Sequence, residues 1–99
     1  MPNQMRPIHP GEILRGEMEE LQLSARLLAK ALGVPTNRIT ALINETRALT
    51  ADTALRLARY FGTTPEFWLN LQTAYELRRA QQKAGSRIAR EVVPRAAAG

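Results

Sequence analysis

Ten residues, from Pro35 to Asn44, hold a set of side chains suited to reading base pairs: Thr36, Asn37, Arg38, Thr40, Ala41 and Asn44. Arginine can make paired hydrogen bonds to guanine and asparagine to adenine. Threonine and alanine can touch a thymine methyl, all from a helix lying in the major groove of DNA. Arg26 and Lys30 precede this run and Arg47 follows it, where long cationic side chains can reach phosphates. They are expected to set affinity more than sequence choice. Other chemistries have little to work with. The chain has no cysteine, so it has no thiolate nucleophile or zinc thiolate. His9 is its one histidine, and without a second ligand at helical spacing it reads as a structural hydrogen-bonder near a helix start. No HExxH, P-loop, GxGxxG or Ser-His-Asp arrangement is present, so no catalytic residue, metal site or cofactor is expected.

Base reading requires the run to be a helix held at a fixed angle by a second one. Two helices crossing around a short turn impose requirements at fixed offsets from the turn glycine. Counted from Gly33, a small residue is needed four positions earlier, where Ala29 stands, and buried residues must flank the turn, where Leu32 and Val34 stand. Leu28 on the first helix and Ile39 and Leu42 on the second supply the remaining inward positions. A helix-turn-helix from about Ser24 to Asn44 follows. At about 100° per residue, the direction opposite Ile39 falls on Asn37, Ala41 and Asn44, flanked by Arg38 and Thr40.

Apolar residues at helical spacing run through most of the chain and no period-two alternation is sustained, which predicts an all-α fold of five helices. The first starts near Pro10 and carries Ile13, Leu14 and Met18 to about Glu20 or Leu21. Ser24 caps the second, with Leu27, Leu28, Ala31 and Leu32 inward up to Gly33. The third starts at Pro35, taken as the first helical residue, and buries Ile39, Leu42 and Ile43. Thr50 caps the fourth, with Leu55, Leu57, Ala58 and Phe61 inward before Gly62. Thr64-Pro65-Glu66 opens the fifth, which is expected to reach about Ala84. The resulting division is a domain over residues 1–84 and a tail over 85–99, partly helical or disordered and fraying from Pro94.

At 99 residues the chain is one domain's worth. No stretch approaches the roughly 20 apolar residues that cross a bilayer, and Met1 to Pro10 lacks an apolar signal-peptide core, so no membrane partner and a cytoplasmic location are expected. Lys plus Arg number 14 against 9 Asp plus Glu, a net charge of +5 that suits a polyanionic partner. Residues 12–20 hold Glu12, Glu17, Glu19 and Glu20 against Arg15, whereas residues 24–47 hold Arg26, Lys30, Arg38 and Arg47 against Glu45. The middle of the chain is its basic part. All five aromatics, Tyr60, Phe61, Phe67, Trp68 and Tyr75, cluster at the fourth and fifth helices and read as core.

The run from Arg6-Pro7-Ile8-His9-Pro10-Gly11-Glu12-Ile13-Leu14, through the helix-turn-helix, to Thr50-Ala51-Asp52-Thr53-Ala54-Leu55-Arg56-Leu57-Ala58-Arg59 and Thr64-Pro65-Glu66-Phe67-Trp68-Leu69-Asn70-Leu71-Gln72 resembles the HigA-type antitoxins. These belong to the lambda-repressor-like (XRE) helix-turn-helix group. The resemblance spans about Arg6 to Arg79, and it implies a five-helix fold and a homodimer bound to double-stranded operator DNA at its own promoter. It also implies neutralisation of a HigB-like mRNA-cleaving toxin. One departure stands out: such proteins commonly carry Gly and a basic residue after the recognition helix, where this chain has Glu45-Thr46. The helix must then be closed by Asn44 or Glu45.

Two further expectations attach to this resemblance. The fifth helix presents more apolar surface than one small core needs, and Trp68, Leu71 and Tyr75 are assigned to a dimer interface. Toxins that cleave mRNA are generally basic, so Glu17, Glu19 and Glu20 of the acidic first helix are assigned to toxin contact, with the tail from Gly85 as the other candidate. A stand-alone repressor without a toxin, and a helical interaction module that has lost DNA binding, are the competing readings.

Overall fold

In the computed structural model, which describes residues 6–96, the elements are α1 (Pro10–Glu20), α2 (Ala25–Leu32), α3 (Thr36–Ile43), α4 (Ala51–Phe61) and α5 (Pro65–Glu91). The first five residues of the segment read for a signal-peptide core, Met1 to Pro10, and the last three residues of the tail lie outside the described residues. Among the described residues there is no strand, and no helix is long and apolar enough to cross a membrane.

The helix starts follow the sequence signals. Ser24, Thr50 and Thr64 each accept a hydrogen bond from the backbone N–H three residues on, pairing a donor that the first helical turn leaves unmatched. His9 does the same for α1: Gly11 N–H donates to its Nδ1 at 2.8 Å, and the ring is buried. This contact needs a neutral Nδ1, so the proton sits on Nε2. Pro35 differs from expectation. It is the N-cap of α3 rather than its first residue, with extended backbone (ψ 147°) and no side-chain acceptor.

The core joins Leu14 and Met18 of α1, Leu28, Ala29 and Leu32 of α2, Ile39 and Leu42 of α3, Leu49, Ala54, Leu57 and Ala58 around α4, and Trp68 of α5. α3 lies between α2 and α1, and α5 backs both α4 and α1. Several residues assigned inward from spacing are instead exposed: Leu27, Ala31 and Leu55, and the aromatics Tyr60 and Phe67. Each helix of so small a domain turns only a narrow stripe to the core, and these residues flank the stripe on α2, α4 and α5. Trp68 takes the aromatic role almost alone, fully buried with its Nε1–H donating to Thr63 Oγ1 at 2.9 Å.

Helix α5 also passes the stop expected near Ala84 and continues through Gly85 to Glu91. A single glycine costs a helix only about 1 kcal/mol. The surrounding alanines and the Arg87–Glu91 pair one turn apart, at 3.7 Å, favour continuation.

Candidate nucleic-acid interface

The motif residues stand as the offsets from Gly33 require. Gly33 adopts a left-handed conformation (φ 71°). Its N–H donates to Lys30 O and that of Val34 to Ala29 O, the paired bonds that close a helix and turn the chain sharply. Leu28, Ala29, Leu32, Ile39 and Leu42 are buried and Val34 is half-buried against them. The α2–α3 angle is therefore set by packing on both sides of the turn.

Outward, α3 exposes Thr36, Asn37 and Asn44, while Thr40 and Ala41 are half-buried. Thr40 Oγ1 donates to Asn37 O at 3.3 Å, so its hydroxyl lies against the helix and its methyl is the freer group. Asn44, the C-cap, accepts from Arg15 Nη2 at 3.4 Å, which brings an α1 cation to the edge of the face. Arg26, Lys30 and Arg47 are all exposed beside α3's motif, and among the described residues none of the three is in an ion pair.

Arg38 departs from the outward expectation. Its side chain is only 31% exposed, and its Nη1 donates to Asp52 Oδ2 at 2.5 Å. The same oxygen accepts from Arg56 Nε at 2.9 Å, and Arg56 Nη1 donates to Leu32 O at 2.8 Å, on the last residue of α2. Hydrogen bonds from Arg56 and then Arg38 hold the Asp52 carboxyl below the usual carboxylate range. Sequence reasoning missed Asp52, Arg56 and Arg15. Asp52 had one signal, an acid in the first turn of α4 where the helix dipole favours it, and that signal says nothing of Arg38.

Glu45 does close α3, in a left-handed conformation at φ 63°. Its N–H donates to Leu42 O and that of Thr46 to Ala41 O, the same paired closure that Gly33 gives α2. A side chain there costs roughly 1–2 kcal/mol relative to glycine. The segment that follows is pinned from α5: Leu49 N–H donates to buried Gln72 Oε1 at 2.8 Å.

The remaining assigned residues divide. Glu17, Glu19 and Glu20 are exposed along α1. Leu71 and Tyr75 are half-buried, Tyr75 with its ring edge-on to His9 at 4.7 Å. Trp68 is 1% exposed and belongs to the chain's own core, which removes it from any interface with a partner. Apolar surface on α5 lies elsewhere, at Phe67, Leu77 and Ile88.

Known proteins share this arrangement. The helix-turn-helix family pattern matches residues 14–68. Virulence-associated protein I of Dichelobacter nodosus is 57% identical over 81 residues, covering 81% of this chain and 75% of that protein. The structure of an addiction module antidote protein of the HigA family from Coxiella burnetii superposes with a TM-score of 0.90 at 61% identity, over 92% of this chain and 100% of that one. Pseudomonas aeruginosa antitoxin HigA, solved with the higBA promoter, superposes with a TM-score of 0.87 at 46% identity, over 90% and 98% of the two chains.

Proposed function

Since the chain belongs to the HigA-type antitoxins of the lambda-repressor-like helix-turn-helix family, we propose that it is a homodimeric repressor of its own operon and the antitoxin of an mRNA-cleaving toxin. The observation that carries the DNA part is the outward face of α3. Thr36, Asn37 and Asn44 stand exposed on a helix whose angle is fixed by the buried turn, with the exposed cations Arg26, Lys30 and Arg47 alongside. Polar groups of this kind read base edges from the major groove, and cations beside them neutralise phosphates. Thr40 and Ala41 contribute methyl contacts, and Arg38 a guanine contact. Its place of work is the cytoplasm, where operator DNA and mRNA are found.

Dimerisation draws on the apolar surface that α5 leaves uncovered at Phe67, Leu77 and Ile88, together with the half-buried Leu71 and Tyr75, and doubles the footprint so that two half-sites about one helical turn apart are read together. Toxin contact falls to the acidic α1 face of Glu17, Glu19 and Glu20, complementary to a basic nuclease. The first test is fluorescence anisotropy of the chain against its own upstream promoter and a scrambled duplex, across a salt series. A promoter preference of about a thousandfold or more, weakening as salt rises, is expected. Equal weak binding to both duplexes overturns the DNA reading and favours an interaction module. Co-purification with a small basic protein encoded next to it tests the antitoxin role, and a chain that purifies alone from its native operon refutes it.

A further inference from the structure

We infer that Asp52, on α4 and outside the helix-turn-helix, is a specificity-determining positioning residue that holds Arg38 in orientation for a base and keeps it from the phosphates. The inference rests on the DNA reading of α3 proposed above and names a residue that this reading does not include.

The geometry is a chain of three hydrogen bonds anchored in the motif's own backbone. Leu32 O, at the end of α2, fixes Arg56 at 2.8 Å; Arg56 Nε fixes Asp52 Oδ2 at 2.9 Å; and the same oxygen takes Arg38 Nη1. The position of Arg38 is thus indexed to the turn that sets the angle of α3. An arginine left to itself on a groove-lining helix is long, flexible and drawn to the nearest phosphate, which adds affinity without sequence information. A guanidinium gripped through Nη1 has lost that freedom. Its remaining N–H groups still form a planar fork, the shape that pairs with O6 and N7 of guanine. The carboxylate adds a repulsive element, since a negative charge beside the DNA-facing surface penalises any pose that brings a phosphate to Arg38. With Arg38 and Arg56 both bound to it, Asp52 leaves the trio at a net charge of +1, so the surface as a whole still attracts DNA. The two guanidiniums also favour the ionised carboxyl, so the grip persists in mildly acidic buffer.

The test is promoter and scrambled-duplex binding by the full chain, its Asp52→Ala and Asp52→Asn variants, and the same substitutions in an Arg38→Ala background. Asp52→Ala is expected to lower the promoter preference about tenfold, one base contact's worth of discrimination. It should bind the scrambled duplex more tightly, with a salt dependence steeper by about one released counterion as Arg38 turns to a phosphate. Asp52→Asn is nearly the same shape and removes the charge with little risk to folding; it should shift in the same direction by a smaller factor. In the Arg38→Ala background the Asp52 substitutions should leave the preference unchanged, the coupling that separates positioning of Arg38 from a general role in holding α4. Equal effects on both duplexes, or a loss of preference that persists without Arg38, overturn the inference. If the unsubstituted chain shows no promoter preference, it is the DNA reading that has failed, and the inference falls with it before any variant is measured.

Discussion

Gly11→Ala should be among the most damaging single-methyl additions in this chain. A Cβ at Gly11 would lie 1.9 Å from the carbonyl oxygen of Leu42 and 2.8 Å from its carbon, with His9 Nδ1 at 3.0 Å. A carbon and a carbonyl oxygen ordinarily approach no closer than about 3.3 Å. The start of α1 and the end of α3 must therefore part by more than about 1 Å. No rotamer change relieves this, because the obstruction is backbone. The movement also strains the His9 cap of α1, whose acceptor is the third atom crowded. Overpacking of this kind typically costs 1–3 kcal/mol and more where backbone must move, so we expect a loss of about 2–4 kcal/mol. At about 4–8 °C per kcal/mol for a chain of this size, the Tm should fall by at least about 8 °C. Gly16→Ala supplies the control: it is the same substitution on the same helix, with nothing within 4 Å of the added methyl. It should raise stability by about 0.5–1 kcal/mol, because alanine has less freedom to lose on folding. Urea unfolding of both variants, followed by circular dichroism at matched protein concentration, is the assay. A Gly11→Ala loss below about 1 kcal/mol would refute the claim that α3 is seated directly on the backbone of α1.

Glu45→Gly should stabilise the chain by about 1 kcal/mol, read as a higher urea midpoint at unchanged slope, since it relieves a side chain at φ 63°; no gain would mean that Glu45 is held by contacts worth as much as its strain. The Asp52 and Glu12 carboxyls are both held below their ordinary range, Asp52 by hydrogen bonds from Arg56 and Arg38 and Glu12 by that from Arg6. A depressed folded-state pKa contributes stability that is present above the unfolded value and is lost as pH falls through the folded one. Stability should therefore decline below about pH 4, and Asp52→Asn should flatten that decline; an identical acid profile in the variant would refute the assignment. Because both carboxylates remain open to solvent, the effect should be small and should shrink in high salt. Changing Glu17, Glu19 and Glu20 together to Lys should weaken toxin binding at low salt while leaving promoter binding intact, and unchanged toxin affinity would remove α1 from that interface.

Much of this fold is legible in the sequence because its signals sit at fixed offsets. Ser24, Thr50 and Thr64 cap helices that begin one residue later, and Gly33 and Gly62 close helices in the left-handed geometry that glycine takes without strain. The same holds for the inward residues of the helix-turn-helix, which local geometry alone dictates. What failed to show in the sequence depends on how helices meet. Leu27 and Leu55 have the spacing of core residues, yet each faces away because no later element packs over that side of α2 or α4. Trp68 looks like surplus apolar surface on α5 until α4 is set against it, when it becomes the largest side chain in the core.

The recognition face shows the same division more sharply. Asn37 and Asn44 follow from turning outward from Ile39, and both are exposed. The partner of Arg38 does not follow from any period, because Asp52 is 14 residues away and meets it only when α4 crosses beside the turn. Ion pairs between elements carry no signature along one of them. Other long-range contacts are equally silent in the sequence, and those that hold α3 and the segment after it include the close approach of Gly11 to Leu42, the ion pair of Asp52 with Arg38, and the hydrogen bond between Gln72 and Leu49. They come from α1, α4 and α5 in turn, so the orientation of α3 depends on elements outside the helix-turn-helix. A substitution at any of the three should therefore alter DNA selectivity at a distance, and the Arg38 coupling measured through Asp52 is the one in which that effect can be separated from stability.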